Sequence, residues 1–160
     1  MKLKKALQVL ASILVVWAVG IVGSIATRSS LNTWYLTINK PVFNPPGWLF
    51  GPVWTVLYTM MGIALYLIWK SSKDDKNRKT ALILFGIQLL LNGAWSFLFF
   101  GLQNPFFAFI NIVILWFFIV LSIYYFYKIS KTASFLLLPY IAWSSFAAVL
   151  NFFLWRMNLP

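Results

Sequence analysis

The sequence predicts an all-α integral membrane protein, a bundle of five transmembrane helices. Of its 160 residues, 62% are hydrophobic and only 9% are charged, which is far from the composition of soluble domains. Apolar runs of about 18 residues or more recur along the chain, and each is long enough to cross a bilayer. Short polar or basic segments separate the runs. The length fits one domain, so we expect a single membrane domain over residues 1–160.

The first predicted span covers residues 6–26 and follows a basic start. A cleavable signal peptide is an alternative here, because Ser24, Ile25 and Ala26 satisfy the small-x-small pattern of a cleavage site. The apolar run is longer than the core of a usual signal peptide, which favours a retained span. Small residues near one face of this span, Gly20, Ser24 and Thr27, favour close helix packing.

The longest connection, residues 27–44, leads into a second span over residues 45–69. Asn44 has the side chain of a good N-cap, and Pro45 suits the first helical position, where no N–H is needed. Pro52 lies deeper and predicts a local bend. We expect the proline-rich and aromatic stretch before the span to form a rigid lip over a cavity, and the span itself to form one of its walls.

The remaining predicted spans cover residues 80–101, 105–127 and 133–155, with Pro139 inside the last one. A solvated, charged loop precedes the third span and contains the only two acidic residues, Asp74 and Asp75. The link between the third and fourth spans is very short, so these two helices are expected to be antiparallel neighbours.

Basic residues predict the orientation. On the side of the N-terminus lie Lys2, Lys4, Lys5, Lys70, Lys73, Lys76, Arg78, Lys79, Lys128 and Lys131, and on the other side lie Arg28, Lys40 and Arg156. The positive-inside rule therefore predicts a cytoplasmic N-terminus, and a C-terminus and long first loop outside. A bacterial inner membrane suits this asymmetry. The same rule accounts for the net charge of +11, so nucleic-acid binding is not predicted.

The chain lacks His, Cys and Glu. This composition excludes Ser-His-Asp triads, cysteine nucleophiles, paired catalytic carboxylates and the usual zinc or haem ligands. Acid–base catalysis has no agent inside the membrane, so we do not predict an ordinary enzyme, and no cofactor is required.

Polar and aromatic residues share one helical face in each of four spans. The face of the second span holds Trp54, Tyr58, Met61 and Leu65, that of the third Gln88, Asn92, Trp95, Ser96 and Phe99, that of the fourth Asn111, Phe118, Ser122 and Tyr125, and that of the fifth Trp143, Ala147 and Leu150, with Asn151 and Leu154 adjacent. Helix packing with an interhelical amide bond explains the fourth span best. For the other three, inward indole rings favour a pocket for a large planar aromatic ligand.

Three segments resemble the translocator protein family, also called tryptophan-rich sensory proteins or peripheral benzodiazepine receptors. The first is Lys40-Pro41-x-Phe43-x-Pro45-Pro46-x-Trp48-x-Phe50-x-Pro52-Val53-Trp54-Thr55-x-Leu57-Tyr58. The second is Gln88-Leu89-x-Leu91-Asn92-x-x-Trp95-Ser96-x-x-Phe99-Phe100, and the third is Pro139-Tyr140-x-x-Trp143-x-x-Phe146-Ala147-x-x-Leu150-Asn151. The matches cover three of the five spans in the family's order.

The resemblance implies a five-helix bundle, commonly a homodimer, that binds porphyrins such as protoporphyrin IX, isoquinoline carboxamides, benzodiazepines and, in some members, cholesterol. By position, the implied ligand-binding residues of the spans are Trp54, Tyr58, Asn92, Trp95, Ser96, Trp143, Ala147 and Leu150, and those of the lip are Pro41, Phe43, Trp48 and Phe50. Trp48 and Trp34 also fit the simpler interpretation of interfacial anchors. The implied activity is that of a sensor or regulator of tetrapyrroles, with passive transport as an alternative.

Some bacterial members of that family degrade porphyrin in light, which is a further alternative for this chain. The matching tryptophans are Trp54 and Trp143. The chain departs from the family's sterol motif, because Phe152 stands where the motif has Tyr. Strong sterol binding is therefore not expected. Small-residue pairs suit a dimer contact at two places, Gly20 with Ser24 and Ser144 with Ala148, and the sequence does not choose between them.

Overall fold

The computed structural model describes residues 2–72 and 75–159, so Lys73 and Asp74 of the predicted charged loop lie outside the described residues. Within that part, five helical segments are long and apolar enough to cross a membrane, which confirms the predicted all-α membrane fold. The elements are α1 (Lys2–Leu31), α2 (Trp34–Thr37), α3 (Gly47–Trp69), α4 (Asp75–Ser96), a π-helix (Phe97–Gly101), α5 (Pro105–Ile129), α6 (Lys131–Phe135) and α7 (Leu138–Met157).

The long helices form a ring in which α3 packs on α1, α1 on α4, α4 on α5 and α5 on α7. The ring closes between α7 and α3, where contact between neighbouring helices is sparsest. Close approach of α1 and α3 depends on Gly62, because a Cβ atom there would lie 2.5 Å from the α-carbon of Ile13. Four of the five contacts between neighbouring helices are therefore extensive, and the contact between α3 and α7 is the loosest.

The start of α3 differs from the prediction. The helix begins at Gly47 with Pro46 as its N-cap residue, so the predicted N-cap at Asn44 and helix start at Pro45 are wrong. A residue that precedes proline is disfavoured in helical conformation, and Pro46 therefore keeps Pro45 out of the helix. The Oδ1 atom of Asn44 instead accepts a hydrogen bond from the Tyr35 hydroxyl at 3.0 Å. Pro52 lies inside α3 as predicted.

The third predicted span ends in the π-helix, which the sequence did not indicate. The Leu102 N–H donates to the Phe97 carbonyl five residues earlier at 2.7 Å, which is the spacing of a π-turn. The Asn104 N–H donates to the Leu98 carbonyl six residues earlier at 3.1 Å and closes the end of the segment. The wider turn buries two consecutive rings, Phe99 and Phe100. After the short link, Asn104 caps α5 by accepting from the Phe107 N–H at 3.1 Å.

The fifth predicted span is broken into α6 and α7. Pro139 lies in the first turn of α7 and lacks the N–H that would bond one turn back in a continuous helix. Ser130 is the N-cap of α6, and its hydroxyl accepts a hydrogen bond from the Ala133 N–H at 3.3 Å. The first loop is also partly helical, because α1 continues to Leu31 and α2 follows directly.

Candidate ligand-binding site

Aromatic rings fill the contact between α3 and α7. We call the set Phe50, Trp54, Tyr140, Trp143 and Phe146 the aromatic seam. The ring centroids of Phe50 and Trp143 lie 6.0 Å apart at 72°, and those of Trp54 and Tyr140 lie 6.3 Å apart at 65°. Edge-to-face pairs of this kind are favourable but weak. The seam therefore joins two helices through rings, with little direct backbone contact.

A chain of side-chain hydrogen bonds runs behind the seam, and we call its four residues the polar chain. The Tyr58 hydroxyl donates to Asn92 Oδ1 at 2.7 Å, and Asn92 Nδ2 donates to the Tyr140 hydroxyl oxygen at 3.0 Å. The Tyr140 hydroxyl in turn donates to Gln88 Oε1 at 2.9 Å. Gln88 Nε2 is buried and has no hydrogen-bond partner among the described residues. The polar chain thus connects α3, α4 and α7 and ends in an unused donor.

A second group lies nearer the end of the bundle that carries the first loop. Trp95 stacks on Phe99 at 5.0 Å and 15°, and its Nε1 donates to Asn151 Oδ1 at 2.9 Å. Asn151 Nδ2 donates to the carbonyl of Pro105 at 2.8 Å. Leu150 is buried in the same apolar cluster as Phe99. Here the indole and the amide link α4, α7 and the start of α5.

The indole N–H groups fall into two classes. Those of Trp17, Trp95 and Trp116 donate to side chains of other helices at 3.3, 2.9 and 2.9 Å. The indole N–H groups of Trp54 and Trp143 donate no hydrogen bond to any residue that the structure describes. The same holds for four tryptophans that do not belong to the seam, namely Trp34, Trp48, Trp69 and Trp155. Because Trp54 and Trp143 belong to the aromatic seam, the seam offers two unused donors beside flat apolar surfaces.

The first loop covers one end of the seam. Pro41 is buried, and the Phe43 ring contacts Phe146 at 6.4 Å and Phe153 at 5.4 Å. Tyr35 anchors the loop to the bundle, because its ring packs on that of Phe100 with the centroids 5.6 Å apart. Burial raises the pKa of the Tyr35 phenol, so this hydrogen-bonded group stays neutral at physiological pH. The loop is therefore an ordered cover built from apolar contacts.

The comparison with known proteins agrees with this architecture. The model of the TspO/MBR family matches residues 12–156. The chain belongs to the TspO/MBR family. It is 48% identical to the tryptophan-rich protein TspO of Archaeoglobus fulgidus over 95% of this chain and 97% of that one. It is 36% identical to the translocator protein of Homo sapiens over 78% and 75% of the two chains. Identity to the tryptophan-rich sensory protein of Cereibacter sphaeroides is 32%, over 85% of each.

Membership in the TspO/MBR family confirms the resemblance inferred from the three sequence segments. Together with the five apolar helices, it shows that the chain is a multi-pass integral membrane protein. The structure brings together several of the residues singled out from sequence, namely Phe43, Phe50, Trp54, Tyr58, Asn92 and Trp143.

Other expected site residues of this TspO/MBR protein lie elsewhere. Ser96 lies against α1, where a Cβ atom at Gly23 would be 3.1 Å from its Oγ atom. Trp48 is 73% exposed at the start of α3, which suits an interfacial anchor. Trp95 and Leu150 belong to the second group. Ala147 does not lie apart in this way, because it packs against the same core cluster as Trp54 and Trp143. In the fourth span, Asn111 Nδ2 donates to the Leu91 carbonyl at 2.9 Å, which supports the packing interpretation.

Tyr140 was not among the expected binding residues, although it joins the seam to the polar chain. Its position three residues before Trp143 places it on the same helical face, so the signal was present in the sequence. Gln88 lies on the predicted face of the third span, but the sequence predicts no binding role for it. Both side chains are almost fully buried, with 1% exposure each.

A groove lies on the outer face of α5 and α7 of this TspO/MBR protein, and its lining includes none of the seam residues. It has a volume of about 430 Å³ and is lined by Phe109, Val113, Trp116, Phe117, Ser145, Ala148, Val149 and Phe152. Val113, Phe117, Val149 and Phe152 of this lining are exposed and apolar, as we expect of a surface that contacts lipid. The rings of the aromatic seam contact one another, so a ligand enters the seam only if they move apart.

Proposed function

We propose that this TspO/MBR protein is a membrane receptor or sensor that binds porphyrins, such as protoporphyrin IX, in the aromatic seam and so regulates or transports tetrapyrroles. One observation carries the proposal: the smallest contact between neighbouring helices holds two indoles, Trp54 on α3 and Trp143 on α7, whose N–H groups bond to no described residue. Two relatives are named tryptophan-rich sensory protein and translocator protein, which supports a sensing or transporting role.

The geometry suits a flat aromatic ligand. Trp54 and Trp143 stand on opposite helices, so a planar ring system inserted between α3 and α7 gains a ring contact on each side. The polar chain supplies amide and phenol groups that orient polar substituents of the ligand. Isoquinoline carboxamides and benzodiazepines are smaller ligands that also combine aromatic rings with polar groups. Pro41, Phe43 and Phe50 would close the site above any of these ligands.

We further propose a homodimer in a bacterial-type inner membrane, with the N-terminus in the cytoplasm and the first loop outside. The asymmetry of basic residues supports this orientation. Strong sterol binding is not part of the proposal. Phe152 replaces the motif tyrosine and lies on the outer face beside Phe109, at a ring distance of 5.6 Å.

The test is a titration of the detergent-solubilised protein with protoporphyrin IX in the dark, followed by tryptophan fluorescence. Binding to the seam should give saturable quenching. Trp143→Phe and Asn92→Ala should each weaken the apparent affinity by about fivefold, since reduced stacking and a lost hydrogen bond are worth about 1 kcal/mol each.

The matched control is Trp116→Phe, the same substitution at an indole on the outer face of the ring. It removes the hydrogen bond to Ser145 and should leave the affinity unchanged. Quenching that never saturates, or that responds to none of the seam variants, would show partitioning into micelles and would reject the proposed site.

A second candidate function is light-dependent oxidation of the bound porphyrin. The arrangement that favours it is the contact of Trp54 with Tyr58, stacked at 5.1 Å, and with Tyr140, which places oxidisable rings side by side. Excited porphyrin would supply the reactive state and dioxygen would be the oxidant, so the ligand would carry the chemistry. Bilin-like products formed by the wild type in light only, and lost in Trp54→Phe, would support this function. Unchanged porphyrin in both conditions would exclude it.

A further inference from the structure

The first loop is fastened to the end of α7 by an exchange of hydrogen bonds between two asparagines. The Asn39 backbone N–H donates to Asn158 Oδ1 at 2.8 Å, and Asn158 Nδ2 donates to the Asn39 carbonyl at 2.9 Å. Asn39 Nδ2 also reaches the Met157 carbonyl at 3.4 Å. One side chain thus binds both backbone groups of a single loop residue.

The anchor itself is fixed to the helix. Asn158 is the C-cap residue of α7, with its backbone N–H donating to the Trp155 carbonyl. Its Nδ2 atom also donates to the Leu154 carbonyl at 2.8 Å, and Leu154 is buried in the core. The position of Asn158 is therefore set by α7, and the loop is the part that can leave.

The fastened residue lies directly before the part of the loop that covers the aromatic seam. Pro41 and Phe43 follow Asn39 by two and four residues, and Phe43 contacts Phe146 of the seam. Proline at position 41 restricts the backbone between them. Release of Asn39 would therefore free the covering segment, whereas retention of Asn39 holds Phe43 against α7.

We propose that Asn158 is a positioning residue, a latch that holds the first loop closed over the seam, and that ligands exchange through this loop. The proposal rests on the proposed binding function of the seam. Because none of the latch atoms belongs to the seam, the proposal assigns the same latch hydrogen bonds to the free and the ligand-bound protein. Loss of the latch should therefore change the rates of exchange and leave the equilibrium affinity nearly unchanged.

The first experiment compares Asn158→Ala with wild type in stopped-flow mixing with protoporphyrin IX. Association and dissociation should both become about tenfold faster, while the Kd stays within about twofold. Trp143→Phe is the contrasting variant, because it should change the Kd. If Asn158→Ala instead lowers the affinity with an unchanged association rate, the asparagine supports the site structurally and the latch is rejected.

The second experiment locks the loop. The chain has no cysteine, so Asn39→Cys with Asn158→Cys introduces a single possible disulfide. The two residues are in direct contact through hydrogen bonds, and a disulfide needs α-carbons about 4.4 to 6.8 Å apart, so formation of the bond is verified by mass spectrometry before release is measured. The oxidised variant should release bound protoporphyrin IX at least tenfold more slowly than the reduced variant, and each single cysteine variant should be insensitive to oxidation. Equal release in both states would show exchange through the bilayer side and reject the proposal.

A measurement without ligand separates the two proposals. Amide hydrogen exchange at Asn39 should be about tenfold faster in Asn158→Ala than in wild type, since this N–H is held by Asn158. If the porphyrin titration fails to saturate but the Asn39 amide responds, the latch exists and the binding function is wrong. If binding saturates and both the Asn39 amide and the exchange rates are unaffected, the latch alone is wrong.

Discussion

Two regions of the ring use the same residue types in opposite ways. On one side, tryptophans and asparagines cross-link α4, α5 and α7, as in the contacts of Trp95 with Asn151, Asn111 with the Leu91 carbonyl, and Trp116 with Ser145. We call this region the amide-linked side. In the aromatic seam, Trp54 and Trp143 meet other rings, and their N–H groups bond to no described residue. The polar chain ends at Gln88 Nε2, which likewise has no partner in the described part of the chain.

The difference shows that tryptophan content alone does not locate a ligand site in a membrane protein. An indole whose N–H is bonded across helices fixes the packing of those helices. An indole with a free N–H, beside a sparse helix contact, has surface and hydrogen-bonding capacity left for a ligand. Substitutions in the amide-linked side should therefore mainly lower the stability of the protein, and substitutions in the seam should mainly weaken ligand binding.

The largest expected effect comes from breaking the amide-linked side at Asn151. Asn151→Leu would leave the Trp95 N–H without an acceptor and the Pro105 carbonyl without its side-chain donor, both in a buried region. Lost interhelical bonds and unpaired buried groups cost about 1 to 3 kcal/mol, so we expect about 2 kcal/mol of destabilisation in a denaturation experiment in detergent.

Ser122→Ala is the matched control for Asn151→Leu. Ser122 is fully buried, but its hydroxyl donates to the Phe118 carbonyl of its own helix at 2.7 Å and links no two helices. Its loss should change the stability by less than about 0.5 kcal/mol. Equal destabilisation by both substitutions would mean that the cross-link adds nothing beyond burial.

A smaller effect is expected where α1 supports the polar chain. A Cβ atom at Gly20 would lie 2.2 Å from the Tyr58 ring, so Gly20→Ala should displace the ring and break its hydrogen bond to Asn92. We expect a loss of about 1 kcal/mol in stability and about fivefold weaker binding of protoporphyrin IX. Gly51→Ala is the control, because no atom lies within 4 Å of its Cβ position, and it should change neither quantity adversely. Unaltered binding in Gly20→Ala would separate Tyr58 from the site.

The smallest expected effect comes from the end of the polar chain. Gln88→Leu removes the acceptor of the Tyr140 hydroxyl but also removes the unpaired Nε2 atom, and these two costs are similar in size. The stability should change by less than about 1 kcal/mol in the same denaturation experiment. This is the same kind of substitution as Asn151→Leu, an amide replaced by leucine. A loss as large as that of Asn151→Leu would show that Gln88 has a further partner and that the two regions do not differ as described.

Much of this architecture followed from the sequence. Length and hydropathy determined five spans, because a bilayer requires about 20 apolar residues per helix. Helical periodicity placed Gln88, Asn92 and Trp95 on one face, and the structure shows all three in interhelical hydrogen bonds. Such faces are local patterns that a single helix reveals.

The missing parts depend on contacts between distant segments. No local pattern pairs Asn39 with Asn158, which are 119 residues apart. The choice between a packing role and a free indole also depends on the neighbouring helix, since Trp95 and Trp143 look alike in sequence. The helix start at Gly47 differs from the prediction for a local reason, because two successive prolines exclude Pro45 from the helix despite the cap preference of Asn44.

The π-helix Phe97–Gly101 lets the two ends of the third span orient their side chains independently around the helix axis. Each residue advances an α-helix by about 100°, and a π-turn absorbs one residue without passing that rotation to its neighbours. The face that holds Asn92 is therefore set by Tyr58 of α3 and Tyr140 of α7, while the rings of Phe99 and Phe100 are set separately by Trp34 and Tyr35 of the loop. Deleting one residue from this segment would make the third span one continuous α-helix. Its side chains could then point correctly toward the polar chain or toward the first loop, but not toward both.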